Sequence, residues 1–127
     1  MPDVDVLQEM FVAADPSAVT ARFARSDVTA LVWPDLTVTV TQQRGPKGTR
    51  YAVAGSWQGT AEFWLQRCLD GVLVHSFLRV DRAGGRRVPR GAQRRRDAAM
   101  RRALWRVKDE LEAGRAPGAP VRRRRRR

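Results

Sequence analysis

Two periodicities divide the chain. From Leu36 to Thr41 apolar and polar residues alternate, with Leu36, Val38 and Val40 on one side and Thr37, Thr39 and Thr41 on the other. A half-exposed antiparallel strand requires this period of two. Arg44-Gly45-Pro46-Lys47-Gly48 has the composition of a chain reversal, after which Tyr51, Val53 and Gly55 alternate with Ala52 and Ala54. Trp57 to Arg67 and Val72 to Val80 supply two more strands joined at Asp70-Gly71, so four consecutive strands make a meander. Arg82 to Gly91, with Gly84-Gly85 and Pro89, reads as a loop. Beyond it the period lengthens. Between Gln93 and Ala113, Met100, Ala103, Leu104, Val107 and Leu111 form one apolar stripe at helical spacing, with Arg95, Arg102 and Arg106 on the opposite side. Gly114 stands where a left-handed C-terminal cap belongs, and Pro117 and Pro120 prevent the helix from resuming.

Ahead of the meander, Val4 to Ala14 is β-branched and free of Gly and Pro, which predicts a first strand. Asp15-Pro16 then starts a short helix running to about Arg25: the carboxylate accepts from free N–H groups of the first turn, and proline at the first helical position forfeits no bond. Val19 and Phe23 share its apolar face, leaving Thr20, Arg22 and Arg25 to solvent. Ser26-Asp27 opens a second short helix through Val28, Ala30 and Leu31, which Trp33-Pro34 ends. This order predicts an α+β domain: a curved antiparallel sheet of about five to six strands wrapped on a long C-terminal helix, with two short helices after the first strand. Where such a sheet diverges from its helix, an apolar concavity suits a small ligand.

Composition fits one domain over residues 1–114, the chain having 127 residues of which 43% are hydrophobic. The net charge of +12 is uneven: residues 1–81 carry 7 basic and 9 acidic groups, residues 82–127 carry 18 and 4. Residues 115–127 combine a Pro/Gly linker with Arg122, Arg123, Arg124, Arg125, Arg126 and Arg127, and read as a disordered tail. That run is a polyanion-binding candidate, toward nonspecific nucleic acid or an anionic membrane surface. Cys68 and His75 are the only Cys and His, too few for a disulfide or a Cys/His metal set, and no cofactor motif is present. No apolar run is long enough to span a bilayer and the N-terminus lacks a leader pattern, so a cytoplasmic protein is expected.

Val12-Ala13-Ala14-Asp15-Pro16-Ser17-Ala18-Val19, the Trp33-Pro34-Asp35 corner, and Ala103-Leu104-Trp105-Arg106-Val107-Lys108-Asp109-Glu110-Leu111 together resemble the START-like helix-grip superfamily (SRPBCC). The likeness is greatest to actinobacterial proteins of polyketide cyclase/dehydrase type and extends over about residues 4–113. It implies a hydrophobic small molecule, polyketide-like or lipid-like, held between sheet and helix. These are packing motifs, so they speak for fold more than for chemistry.

Tyr51, Trp57, Phe63, Phe77, Leu104 and Trp105 are the candidates for lining the cavity, although core packing is the weightier reading of each large ring. As proton carriers only His75 and Glu62 stand out, and each has a plain structural alternative. His75 alternates with Leu73, Phe77 and Arg79, whereas Glu62 fits an outward strand carboxylate opposite an arginine. Cys68 lacks a base placed to activate it and reads as a small packed thiol. A binding domain is therefore the first reading, a cyclase/dehydratase the second, and a polyanion-binding protein the third.

Overall fold

The computed structural model describes residues 1–113, so the proposed boundary at residue 114 and the arginine tail lie outside the described residues. Five strands form one curved antiparallel sheet: β1 (Val4–Val12), β2 (Thr37–Gln43), β3 (Gly48–Ala54), β4 (Trp57–Cys68) and β5 (Gly71–Arg82). Helices α1 (Pro16–Ala24) and α2 (Asp27–Val32) connect β1 to β2, and α3 (Ala92–Leu111) follows β5. The strand order is β1-β5-β4-β3-β2, the predicted meander with β1 added beside β5.

Strand alternation sends one set of side chains to the concave face. Val6, Met10 and Val12 of β1 stand opposite Leu78, Val74 and Val72 of β5, and all six are buried. Met100, Ala103, Leu104 and Val107 of α3 close over this layer, which accounts for the apolar stripe.

Helix α3 also protects the free edge of β1. Gln93 bonds both backbone groups of Asp5, accepting from its N–H at 2.9 Å and donating to its carbonyl at 2.7 Å. Lys108 Nζ donates to the Phe11 carbonyl at 2.5 Å, and Glu112 accepts from the Ala13 N–H at 2.7 Å. An edge satisfied by side chains cannot recruit another strand, and the same bonds fix the helix along β1.

Three local expectations are corrected. Asp70-Gly71 is not the turn of the β4–β5 hairpin, because Cys68 pairs with Gly71 and the reversal falls on Leu69 and Asp70. Gly71 serves packing: a Cβ there would run into the Val12 carbonyl and stand 2.8 Å from the Phe11 ring. Within the expected loop, β5 runs on to Arg82, and a 3-10 turn over Ala83–Gly85 is tied to the preceding hairpin by the Ala83 N–H, which donates to the Ser56 carbonyl at 2.9 Å. Arg22 is buried, only 8% exposed, instead of solvated. Its Nε donates to Glu110 at 2.6 Å and its Nη1 to Asp27 at 3.2 Å, so α2 and α3 cover the stem while two half-exposed carboxylates balance the charge.

Candidate functional site

The face that α3 turns to the sheet changes character along its length. Its middle carries Met100 and Leu104, long enough to reach the strands, but along one flank, seven residues apart, stand only Ala92 and Ala99. Arg95 and Arg96 lie three and four residues after Ala92 and share that side of the helix. Alanine leaves the space between helix and sheet unfilled. A cleft of about 300 Å³ opens there, bordered by Val4, Trp57, Pro89 and Asp35 together with Ala92, Arg95, Arg96 and Ala99.

Each part of the rim has a local cause. Asp35 follows the Trp33-Pro34 corner that ends α2, and the Arg96 guanidinium grips both its oxygens, Nη1 to Oδ1 at 2.6 Å and Nη2 to Oδ2 at 2.8 Å. These charge-assisted bonds hold the Asp35 carboxyl below its ordinary value of 3.8 against the opposing effect of partial burial. Arg95 Nη1 donates to the Arg90 carbonyl at 2.6 Å, and among the described residues no carboxylate lies within ion-pair distance of Arg95. Gly91 permits this geometry: it caps α3 with φ of 76°, and a Cβ would stand 3.1 Å from Arg95 Nη1. Trp57, 7% exposed, has the Arg82 guanidinium carbon 5.2 Å from its ring centre.

The Asp35–Arg96 pair has a definite pH signature. A carboxyl whose folded value is depressed contributes stability that is fully present above the unfolded value and is lost as pH falls through the folded one. Asp35→Asn should therefore lower the melting temperature modestly at neutral pH, by an amount equivalent to about 1 kcal/mol or less because the carboxylate is more than half exposed. In strong acid the variant and the parent should melt together. A gap that persists in acid would contradict the pairing.

The structure distributes the remaining candidates elsewhere. Phe63 is the hub of a closed aromatic cluster. Its ring stacks on Trp33 at 4.9 Å and meets Phe23 and Tyr51 edge-on at 5.0 and 6.0 Å. Burial pushes the Tyr51 hydroxyl above its ordinary value of 10.0. Leu104 lies in the core beneath α3. Trp105 is half exposed, with Lys108 Nζ 5.7 Å from its ring centre, on the solvent side of the helix. Of the six predicted lining residues, only Trp57 borders the cleft.

Phe77, His75 and Glu62 all lie on the convex face, away from the cleft, as strand alternation from Leu78 and Phe63 dictates. His75 is 6% exposed, stacked on Trp64 at 4.3 Å and beside Phe77 at 6.4 Å. Its Nδ1 stands 3.4 Å from Glu9 and its Nε2 3.3 Å from Gln66. Glu62 is ion-paired with Arg44, and with Arg50 at 3.4 Å. Phe77 borders a second groove of about 410 Å³, shared with Arg50, Thr60, Glu62 and Arg79. Among the described residues no group of three or more His, Cys, Asp or Glu is placed to hold a metal, and no helix is long and apolar enough to cross a membrane.

Asp35, Arg95 and Arg96 were not singled out as site residues from the sequence. The seven-residue step from Ala92 to Ala99 continues the apolar stripe and was the available signal. Arg95, expected on the side opposite the stripe, stands beside Ala92 and Ala99 at the margin of the cleft, which Pro89 of the preceding segment also borders.

A curved five-stranded sheet closed by a long terminal helix, with two short helices after the first strand, is the helix-grip architecture also called Bet v1-like. Solved structures share it. The Aha1 dimer from Colwellia psychrerythraea is similar with a TM-score of 0.65 and 17% identity, covering 89% of this chain and 99% of that one. DR_A0006 from Deinococcus radiodurans matches with a TM-score of 0.65 and 14% identity, over 88% and 99% of the two chains. Ara h 8.0201 matches with a TM-score of 0.55 and 8% identity, over 87% and 98%. No protein-family model matches the chain, and no curated protein matches it in sequence.

Proposed function

We propose that this chain is a binding domain that holds a hydrophobic small molecule, polyketide-like or lipid-like, in the cleft between the first turns of α3 and the sheet. The observation that carries the reading is the pair of short side chains Ala92 and Ala99, which with Val4 and Trp57 border a concavity between the helix and the sheet. Its volume falls at the small end of ligand sites, which run from about 300 to 1,000 Å³. The fold shared with helix-grip structures and the sequence motifs support kinship with polyketide cyclase/dehydrase-type proteins. The reading involves no catalytic step, because His75 and Glu62 occupy the other face of the sheet. Native mass spectrometry of protein purified from its own host tests it. A retained apolar compound is expected; bare chain only, together with no saturable uptake of Nile red, would overturn it.

A polyanion contact is a second reading, favoured by the exposure of Arg94, Arg101, Arg102 and Arg106 along the outer side of α3, the helix that leads to the arginine run. Each phosphate contact steepens the logarithmic salt dependence on duplex DNA by about 0.9. Binding to DNA should be insensitive to sequence and should collapse when residues 121–127 are removed. Equal binding of truncated and intact protein to DNA and to anionic vesicles at physiological salt would exclude the tail.

A further inference from the structure

We propose that the cleft selects organic anions: molecules with a compact apolar body and one carboxylate, the carboxylate held by Arg95. This rests on the cleft being a ligand site and specifies what that site reads. The charges at the rim do not balance. Arg96 and Asp35 neutralise one another through their two parallel bonds, whereas Arg95 has no counter-charge among the described residues. Its one bond among the described residues, to the Arg90 carbonyl, uses Nη1. The edge formed by Nε and Nη2 has no protein partner among the described residues, and that edge matches the two oxygens of a carboxylate.

The surroundings reinforce the positive potential. The first turn of α3 contains no acidic residue, and Arg94 and Arg95 sit near the positive end of the helix dipole, where cations are disfavoured. A bound anion would relieve that repulsion. Arg82, against the Trp57 ring, likewise has no carboxylate within ion-pair distance among the described residues. Trp57, Val4, Ala92 and Ala99 supply the apolar part of the lining beside this rim. The complementary molecule therefore lays a small ring system or short chain on Trp57 and keeps its carboxylate at the half-wet mouth, where desolvating it costs least.

Calorimetric titration with naphthoate and with its neutral isostere naphthamide tests this in the intact protein, in Arg95→Gln, and in Ala99→Trp, which fills the cleft. Naphthoate should bind the parent about tenfold or more tightly than naphthamide, as a charge-assisted pair supplies. Arg95→Gln should bring naphthoate down to the naphthamide level without changing naphthamide, its circular dichroism melt matching the parent. Should naphthoate keep its advantage in Arg95→Gln, the assignment to Arg95 is wrong. Equal affinities for both compounds in the parent, with both lost in Ala99→Trp, would refute anion selection while leaving the cleft as a ligand site. If neither compound binds the parent, the cleft reading fails together with the inference.

Discussion

Leu104→Asp should destabilise the domain by about 4 kcal/mol or more, a large part of the roughly 5–15 kcal/mol that holds a domain of this size together. Leu104 is buried at the centre of the α3 stripe, with Met100 and Val107 on the adjoining turns. A carboxylate there either remains charged without a partner or takes up a proton, and both routes cost stability in addition to the lost apolar contact. Arg102, two residues earlier, is exposed, and Arg102→Asp should shift stability by only about 0.5 kcal/mol. Chemical denaturation followed by circular dichroism separates the two. Equally mild substitutions would mean that α3 does not dock through this stripe.

Phe63→Ala should be nearly as damaging, at about 3–5 kcal/mol, since it removes a fully buried ring and leaves Trp33, Phe23 and Tyr51 facing a hole. The ring joins α1, the α2 corner and two strands, so little relaxation can close the gap. Phe77, only half-buried on the convex face, should cost about half as much or less when cut to alanine. The contrast reports which face of the sheet is core. A Phe77→Ala melt as low as that of Phe63→Ala would show the convex face to be packed as densely as the concave one.

These two phenylalanines also show what could be read in the chain. Period fixes which residues share a face: Trp57, Phe63 and Leu65 fall together, as do His75, Phe77 and Arg79. The α+β class, the meander, the two short helices and the closing helix follow from such patterns and from the Asp15-Pro16 cap, whose carboxylate accepts from the Ser17 N–H at 3.2 Å. Pairing of β1 with β5 joins the first and last strands in chain order and has no local signature. The Arg96–Asp35 grip joins residues 61 apart in the chain, and its choice among so many arginines depends on where the α2 corner lands against α3. Arg22 illustrates the same limit: its helical spacing suggests solvent, and only the approach of α2 and α3 buries it between Asp27 and Glu110. Aromatic content likewise could not distinguish lining from core, because that depends on whether the facing helix position holds alanine or leucine.

The cleft has a rival on the other side of the sheet, where Phe77 borders a groove and Leu7 is half exposed. Location is therefore the central question, and a chemical-shift map of isotopically labelled protein titrated with Nile red answers it directly. The account predicts saturable shifts at the Trp57 indole and at the Ala92 and Ala99 methyl groups, with the convex face undisturbed. Shifts confined to Leu7, Trp64 and Phe77, with Ala99 unmoved, would contradict it.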